Sequence, residues 1–428
     1  MQIHLKTLGC RLNEAELETW AQAFQSKGHS ITRHLIEAQM VIINSCAVTQ
    51  DAVKKSKQMI RRIHRENPHA KLVVSGCYAT LNETEASQLM GVDLVIGNSD
   101  KNQLVEKALT ELNLDSMPNM STEPGEVPLF SRGRQRAFVK VQDGCRYRCT
   151  FCIVTVARGE ERSRNIQEVV DEINALHAQG IKEAIITGVH LGGYGSDINS
   201  NLVELIQAVL AQTEIPRLRM GSLEPWELPE GFFKLFKNPR LMPHLHLPLQ
   251  SGSDSVLRRM ARRCKTEEFA NIVQQARATI PNFNVTTDII VGFPGETEQE
   301  WQESLSYIKQ SGFGHIHIFS YSPREGTKAA TLPDPIPMDI KRQRSKELHV
   351  LAEALKQNFI SQNLGTKSEV LWEGQTETLS NGRLRHFGYT PNYLRVAYDA
   401  DAGYSLENQI QTHTLLRNES GFILTNCE

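Results

Sequence analysis

Short apolar runs alternate with amphipathic, charged segments along most of this 428-residue chain, and nearly every run ends in a polar or cysteine-bearing motif. That alternation limits the fold more than any other feature, because repeated strand–helix units assemble as parallel sheets covered by helices. In residues 1–112 the runs 3–8, 40–44, 72–75 and 94–96 read as strands, and 13–27, 51–66, 83–90 and 101–112 as helices. This predicts an amino-terminal doubly wound parallel-sheet domain of the α/β class. Residues 113–130 hold Pro118, Pro124, Gly125 and Pro128 without an apolar period, and read as a linker. From 137 to 321 the alternation resumes through six strand–helix units, the first strand at 137–142 and the last at 315–320, within a central region of 131–361. Six units instead of eight predict a central partial (β/α)6 TIM-like barrel with functional residues at the strands' carboxyl ends. The segment 339–364 reads as a helix. In residues 362–428 the runs 368–372, 393–398 and 421–425 alternate like strands, which suits a small carboxy-terminal β-barrel.

Cys145, Cys149 and Cys152 follow the first strand of the central region as Cys-x3-Cys-x2-Cys. Three thiolates so close can hold all but one corner of a cubane iron–sulfur cluster, and the remaining open iron can bind a reactant. A zinc knuckle is the alternative, but no fourth Cys or His follows at a zinc-ligand interval. Cys10, Cys46 and Cys77 each stand just beyond an expected strand of the amino-terminal domain. Carboxyl ends of parallel strands share one sheet edge, so these three can converge as a second ligand set. Packing as small buried hydrophobes is the other reading. Cys264 and Cys427 have no partner at ligand spacing and read as ordinary thiols.

A net charge of −2 argues against a uniformly basic nucleic-acid binder, but the charge is uneven. Residues 131–164 carry nine Lys/Arg against three Asp/Glu, around the close cysteine triplet. A basic stretch flanking a reactive site suits an anionic substrate such as nucleic acid. Two further basic clusters, Arg258 to Lys265 and Lys341 to Lys346, read equally well as solvated helix faces. No apolar run has the length of a membrane span, and the first residues carry no charged leader before a long apolar segment. Eight cysteines in such a chain favour reduced thiols or metals over disulfides, so the expected compartment is the cytoplasm, without a membrane partner.

With both cysteine triplets in this order, the chain resembles the radical S-adenosylmethionine methylthiotransferases along nearly its whole length. The stretches Lys6–Glu14 and Asn44–Thr49 are most similar to the branch acting on N6-threonylcarbamoyladenosine at position 37 of tRNA. Sister branches act on isopentenyl-adenosine in tRNA or on an aspartate of a ribosomal protein. A metal-stabilised RNA-binding protein without catalysis is the reading from another class. The resemblance implies two 4Fe–4S clusters, one on Cys145, Cys149 and Cys152 and one on Cys10, Cys46 and Cys77. S-adenosyl-L-methionine would bind at the first as radical source and would also donate the methyl group. It further implies a tRNA anticodon stem-loop as partner, a cytoplasmic electron donor and a sulfur source, a radical S-adenosylmethionine core at 131–361, and a TRAM domain at 362–428. That tail holds five Lys/Arg against eight Asp/Glu, an acidic balance that weakens a phosphate-gripping role.

Other candidate contacts follow from position. Tyr147, within the cysteine loop, could pack on the cofactor's adenine. Gly188 permits close backbone approach and could meet its amine. Glu224 and Asp288, near strand ends, could hold ribose hydroxyls or the ammonium. Arg158, Arg162 and Arg164 could fork a phosphate or the carboxylate of a threonylcarbamoyl group. Phe387, Tyr389, Tyr393 and Tyr398 could stack on unpaired bases, with core packing as their alternative.

Overall fold

The structure is a computed structural model that describes residues 1–112, 135–419 and 421–427. The expected linker lies outside the described residues. Those described fall into two compact units, one of residues 1–112, 143–161 and 322–327, the other of 135–142, 162–321 and 328–427.

The first unit is built on a five-stranded parallel sheet in the order Ser30–Ile31, Gln2–Thr7, Met40–Ser45, Lys71–Gly76, Leu94–Ile96. Met40–Ser45 is buried at all six positions, as expected of a central parallel strand covered on both faces. One face packs Leu17, Trp20 and Phe24 of helix Arg11–Ser26, and the other packs Ile60 and Ile63 of helix Gln50–Glu66. The Thr49 hydroxyl starts the second helix by accepting from the Ala52 amide at 3.1 Å. The doubly wound expectation holds. The two-residue edge strand Ser30–Ile31 is too short to leave an alternation in the sequence.

In the second unit six parallel strands follow chain order: Arg136–Lys140, Glu183–Thr187, Arg217–Met220, His244–His246, Asn284–Val291 and His315–Ser320. They form two three-stranded sheets, joined between the third and fourth strands by the single bridges Leu218↔Leu241 and Ser222↔His246. Val139, Ile186, Leu218, Leu245, Val285 and Ile316 contribute one layer of side chains from all six strands and their extensions to a common core. This is the partial barrel, with helices such as Ile166–Ala178 and Glu298–Ser311 following its strands.

The helix Met338–Asn363 leads into a closed barrel of five strands, Lys367–Thr378, Leu384–Tyr389, Arg395–Ala400, Phe422–Cys427 and Ile410–Glu419 in spatial order. Sequence patterning indicates three of these. Leu384–Tyr389 and Ile410–Glu419 mix polar and apolar residues without clean alternation, and barrel closure recruits them. The small barrel docks through buried arginines at the amino-terminal ends of the larger barrel's strands. Arg217 donates to the carbonyls of Tyr389 (3.0 Å) and Glu369 (3.1 Å), while Arg219 pairs with Glu183 (2.8 Å) and donates to Pro391 (2.9 Å). The guanidinium of Arg136 lies 4.4 Å from the Tyr389 ring centroid, and that of Arg219 lies 4.6 Å from Tyr393.

Candidate functional site

Cys10, Cys46 and Cys77 stand where three parallel strands end. Cys10 caps helix Arg11–Ser26, Cys46 follows Met40–Ser45, and Cys77 opens the short helix Cys77–Leu81. Backbone crowding explains their glycine neighbours. Gly9 has φ +118°, and a Cβ there would lie 3.0 Å from the Cys46 sulfur. Gly76 has φ +99°, and its Cβ would meet the Ser45 carbonyl at 2.2 Å. All three cysteines are free thiols close enough to interact electrostatically, and burial, aided by the other two, pushes the Cys46 thiol upward in pKa. Three convergent thiols without a disulfide fit a shared metal group, whose binding releases their protons.

Cys145, Cys149 and Cys152 lie on the half-exposed loop between Asp143 and the helix Val154–Arg158, and they too are free. Gly144 (φ +75°) carries the chain past the Glu160 carbonyl, which a Cβ would strike at 1.9 Å. The loop is tied internally: the Cys145 amide donates to Gly159, the Cys152 amide to Cys149 and the Thr155 hydroxyl to Tyr147, at 3.1, 3.0 and 2.8 Å. The Val154 amide points to the Cys152 sulfur at 3.4 Å. The Tyr147 ring is half-buried with the Arg146 guanidinium 5.4 Å from its centroid.

Both triplets belong to the first compact unit, and a buried polar network joins them. Arg158, expected to meet substrate, is 4% exposed. It donates to Glu16 and Asp143 at 3.0 Å each, and to the side-chain Oδ1 of Asn13 at 2.9 Å. Its charge is thus engaged inside the protein, which corrects that expectation. Neighbouring carboxylates hold its pKa well above normal despite burial. Lys101 joins at Glu16 (2.5 Å) and Asn44 (3.1 Å). The Asn98 amide donates to the Ala157 carbonyl at 2.6 Å and sits 3.8 Å from the Cys77 sulfur. Glu16, Asn98 and Lys101 went unnoticed in the sequence because isolated polar residues inside helices and loops carry no spacing signal.

The remaining expected residues lie in the second unit. Arg162 is exposed, whereas Arg164 turns back to its own barrel, donating to the Lys140 carbonyl (2.9 Å) and pairing with Glu172. Gly188 leaves room for the Gln142 side chain, whose Oε1 would stand 2.9 Å from a Cβ and accepts from the His190 backbone amide at 2.9 Å. Glu224 is raised in pKa by burial, and with Glu227 it flanks the fully buried His190, 3.8 and 3.5 Å from Nε2. His190, like Glu16, Asn98 and Lys101, carries no signal in the sequence. Asp288 sits three positions before its strand ends, with Oδ1 3.1 Å from His246 Nε2. Of the two outlying basic clusters, Lys341 and Arg344 are buried, Arg344 against Glu296 at 2.9 Å, and Arg259 pairs with Glu300 at 2.7 Å. The four tail aromatics pack within the protein: Tyr389 and Tyr393 stack at 5.0 Å, Phe387 meets Phe422 at 5.6 Å, and Tyr398 meets His413 at 5.2 Å.

Residues 139–308 match the Radical SAM superfamily, and residues 2–97 match the uncharacterized protein family UPF0004. The threonylcarbamoyladenosine tRNA methylthiotransferase MtaB of Bacillus subtilis is 35% identical over 92% of this chain and 89% of that protein. The protein of the same name from Thermotoga maritima is 37% identical over 87% of this chain and 86% of its own length. A tRNA-2-methylthio-N(6)-dimethylallyladenosine synthase from Bacillus pumilus is 33% identical over 88% of this chain and 77% of its own length. Among solved structures, the radical S-adenosylmethionine methyltransferase TsrM of Kitasatospora setae aligns with a TM-score of 0.58 at 16% identity, covering 77% of both chains, which is a likeness of fold.

Proposed function

Because the chain belongs to the MtaB-type radical S-adenosylmethionine methylthiotransferases, we propose that it converts N6-threonylcarbamoyladenosine in tRNA to the 2-methylthio derivative. The observation that carries this reading is similarity to MtaB proteins over about nine tenths of the chain, in a protein whose first compact unit holds two free cysteine triplets.

In this reading Cys145, Cys149 and Cys152 hold the 4Fe–4S cluster that meets S-adenosylmethionine, and Cys10, Cys46 and Cys77 hold the second cluster. When bound, these groups supply the one-electron chemistry and the sulfur that functionalising a carbon without an acidic proton requires. The protein's own part is positional. Arg158, Asp143 and Asn98 tie the cysteine loop to Glu16, Asn13 and the Cys77 turn, so the two ligand sets keep a fixed relation. Tyr147 suits the cofactor's adenine, Gly188 its amine and Glu224 its ribose or ammonium. Exposed Arg162 suits the carboxylate that distinguishes threonylcarbamoyladenosine from the isopentenyl substrate. The substrate-bearing partner is a tRNA anticodon stem-loop, and the reaction draws on an external electron donor and sulfur source. No helix among the described residues is long and apolar enough to cross a membrane.

The test is nucleoside mass spectrometry of tRNA from cells lacking methylthiotransferases, with and without this chain. The expected result is a methylthio-threonylcarbamoyladenosine peak. A methylthio-isopentenyl-adenosine peak in its place would transfer the assignment to the sister branch.

A further inference from the structure

On three adjacent strands of the larger barrel, the half-buried His246 and Asp288 and the exposed His317 come together. One ligand atom from each lies within 4.8 Å of the other two. His246 Nε2 is 3.1 Å from the Asp288 carboxylate, and the His246 and His317 rings are 5.4 Å apart. Strand register produces this. Asp288 and His317 are paired residues on neighbouring parallel strands, and His246 pairs with Thr286, one inward-facing position earlier on the Asp288 strand. Two imidazoles and one carboxylate on three rigid strands make the donor set of a two-histidine, one-carboxylate metal face.

The outer contacts fit a ligating histidine. His246 Nδ1 is 2.9 Å from the Thr286 hydroxyl, which directs Nε2 toward Asp288. The same hydroxyl also meets buried His244 Nε2 at 3.2 Å and has one proton to give. If it gives that proton to His244, His246 carries its own on Nδ1. Nε2 then presents a lone pair to the carboxylate, and either a second ring proton or a bound cation must lie between them. We propose that His246, Asp288 and His317 bind a divalent transition-metal ion, distinct from both cysteine triplets, with open positions for an oxygen ligand. Imidazole donors favour zinc or iron over magnesium and calcium. The site does not depend on which nucleoside the enzyme modifies.

Protein fully loaded with iron and sulfide is incubated with zinc, desalted, and measured for zinc, iron and sulfide together. About one zinc per chain should be retained with iron unchanged, and the His246→Ala/His317→Ala double variant should retain none. Zinc gained only as iron is lost would mean occupation of the cysteines and would overturn the proposal. So would equal retention by the wild type and the double variant. Should the double variant lose its clusters, Thr286→Val decides, because it keeps all three ligands. Zinc affinity weakened roughly 10- to 100-fold supports the site, and unchanged affinity overturns it.

Discussion

Arg158 and Glu16 stand 142 residues apart in the chain and meet in an ion pair of 3.0 Å that is 2% exposed on both sides. The same guanidinium serves Asp143, two residues before Cys145, while Glu16 lies on the helix that Cys10 caps. Arg158→Ala removes a shared cation from the buried carboxylates of Asp143 and Glu16, of which Glu16 keeps Lys101, and breaking such a buried pair costs about 3–5 kcal/mol. Arg158→Lys keeps the charge but loses the planar fork that reaches Asn13 as well, and should fall between wild type and alanine. Denaturant unfolding of the three proteins checks the order.

The two cysteine triplets should be separable by iron content. Cys149→Ala and Cys46→Ala should each lose about half the iron and sulfide of the wild type, and the double variant nearly all of it. Both single variants should make no methylthio nucleoside. A single variant that loses all its metal would mean that one triplet folds only when the other is filled.

Gly76→Ala tests the backbone that presents Cys77. At φ +99° a methyl group would press on the Ser45 carbonyl at 2.2 Å, so the strand exit must shift. The expected outcome is loss of about half the iron, as for Cys46→Ala, with the Cys145 set retained. Electron paramagnetic resonance of the reduced protein distinguishes which set remains.

These positions show how far sequence reading reaches. The six cysteines and the parallel strands that carry them are legible because each signal is local: a spacing, an apolar run, a glycine at a turn. Arg158 was misread because its partners, Glu16 and Asn13, lie across the fold, and burial of an arginine has no sequence signature. The tail aromatics have the composition of an RNA-stacking surface, yet the docking of Arg136 and Arg219 turns Tyr389 and Tyr393 inward. His246, Asp288 and His317 belong to three separate strands, and only their register brings them together.

Arg162 is the exposed member of its arginine trio. If it recognises the threonylcarbamoyl carboxylate, Arg162→Ala should raise KM for an anticodon stem-loop carrying that group by roughly tenfold, the worth of one charge-assisted hydrogen bond. Turnover of a stem-loop lacking the group should change little. Equal losses on both substrates would assign Arg162 to the phosphate backbone.

His413 predicts an acid weakness in the small barrel. It is fully buried, with its ring 4.8 Å from Trp372 and 5.2 Å from Tyr398, and burial pulls its pKa down to about 4. Thr425 and Gln411, at 3.2 and 3.4 Å, offer its nitrogens neutral partners. Between about 4 and the unfolded value of 6.5 the unfolded chain binds the proton and the folded chain does not. Stability from this group is therefore complete above pH 6.5 and is lost as pH falls toward 4. From pH 7 to pH 5 the loss comes to about 2 kcal/mol. His413→Gln removes the titration, so its urea-unfolding free energy should change less than that of the wild type over this interval, by about that amount. Parallel pH dependences for the two proteins would mean that His413 is protonated within the folded barrel.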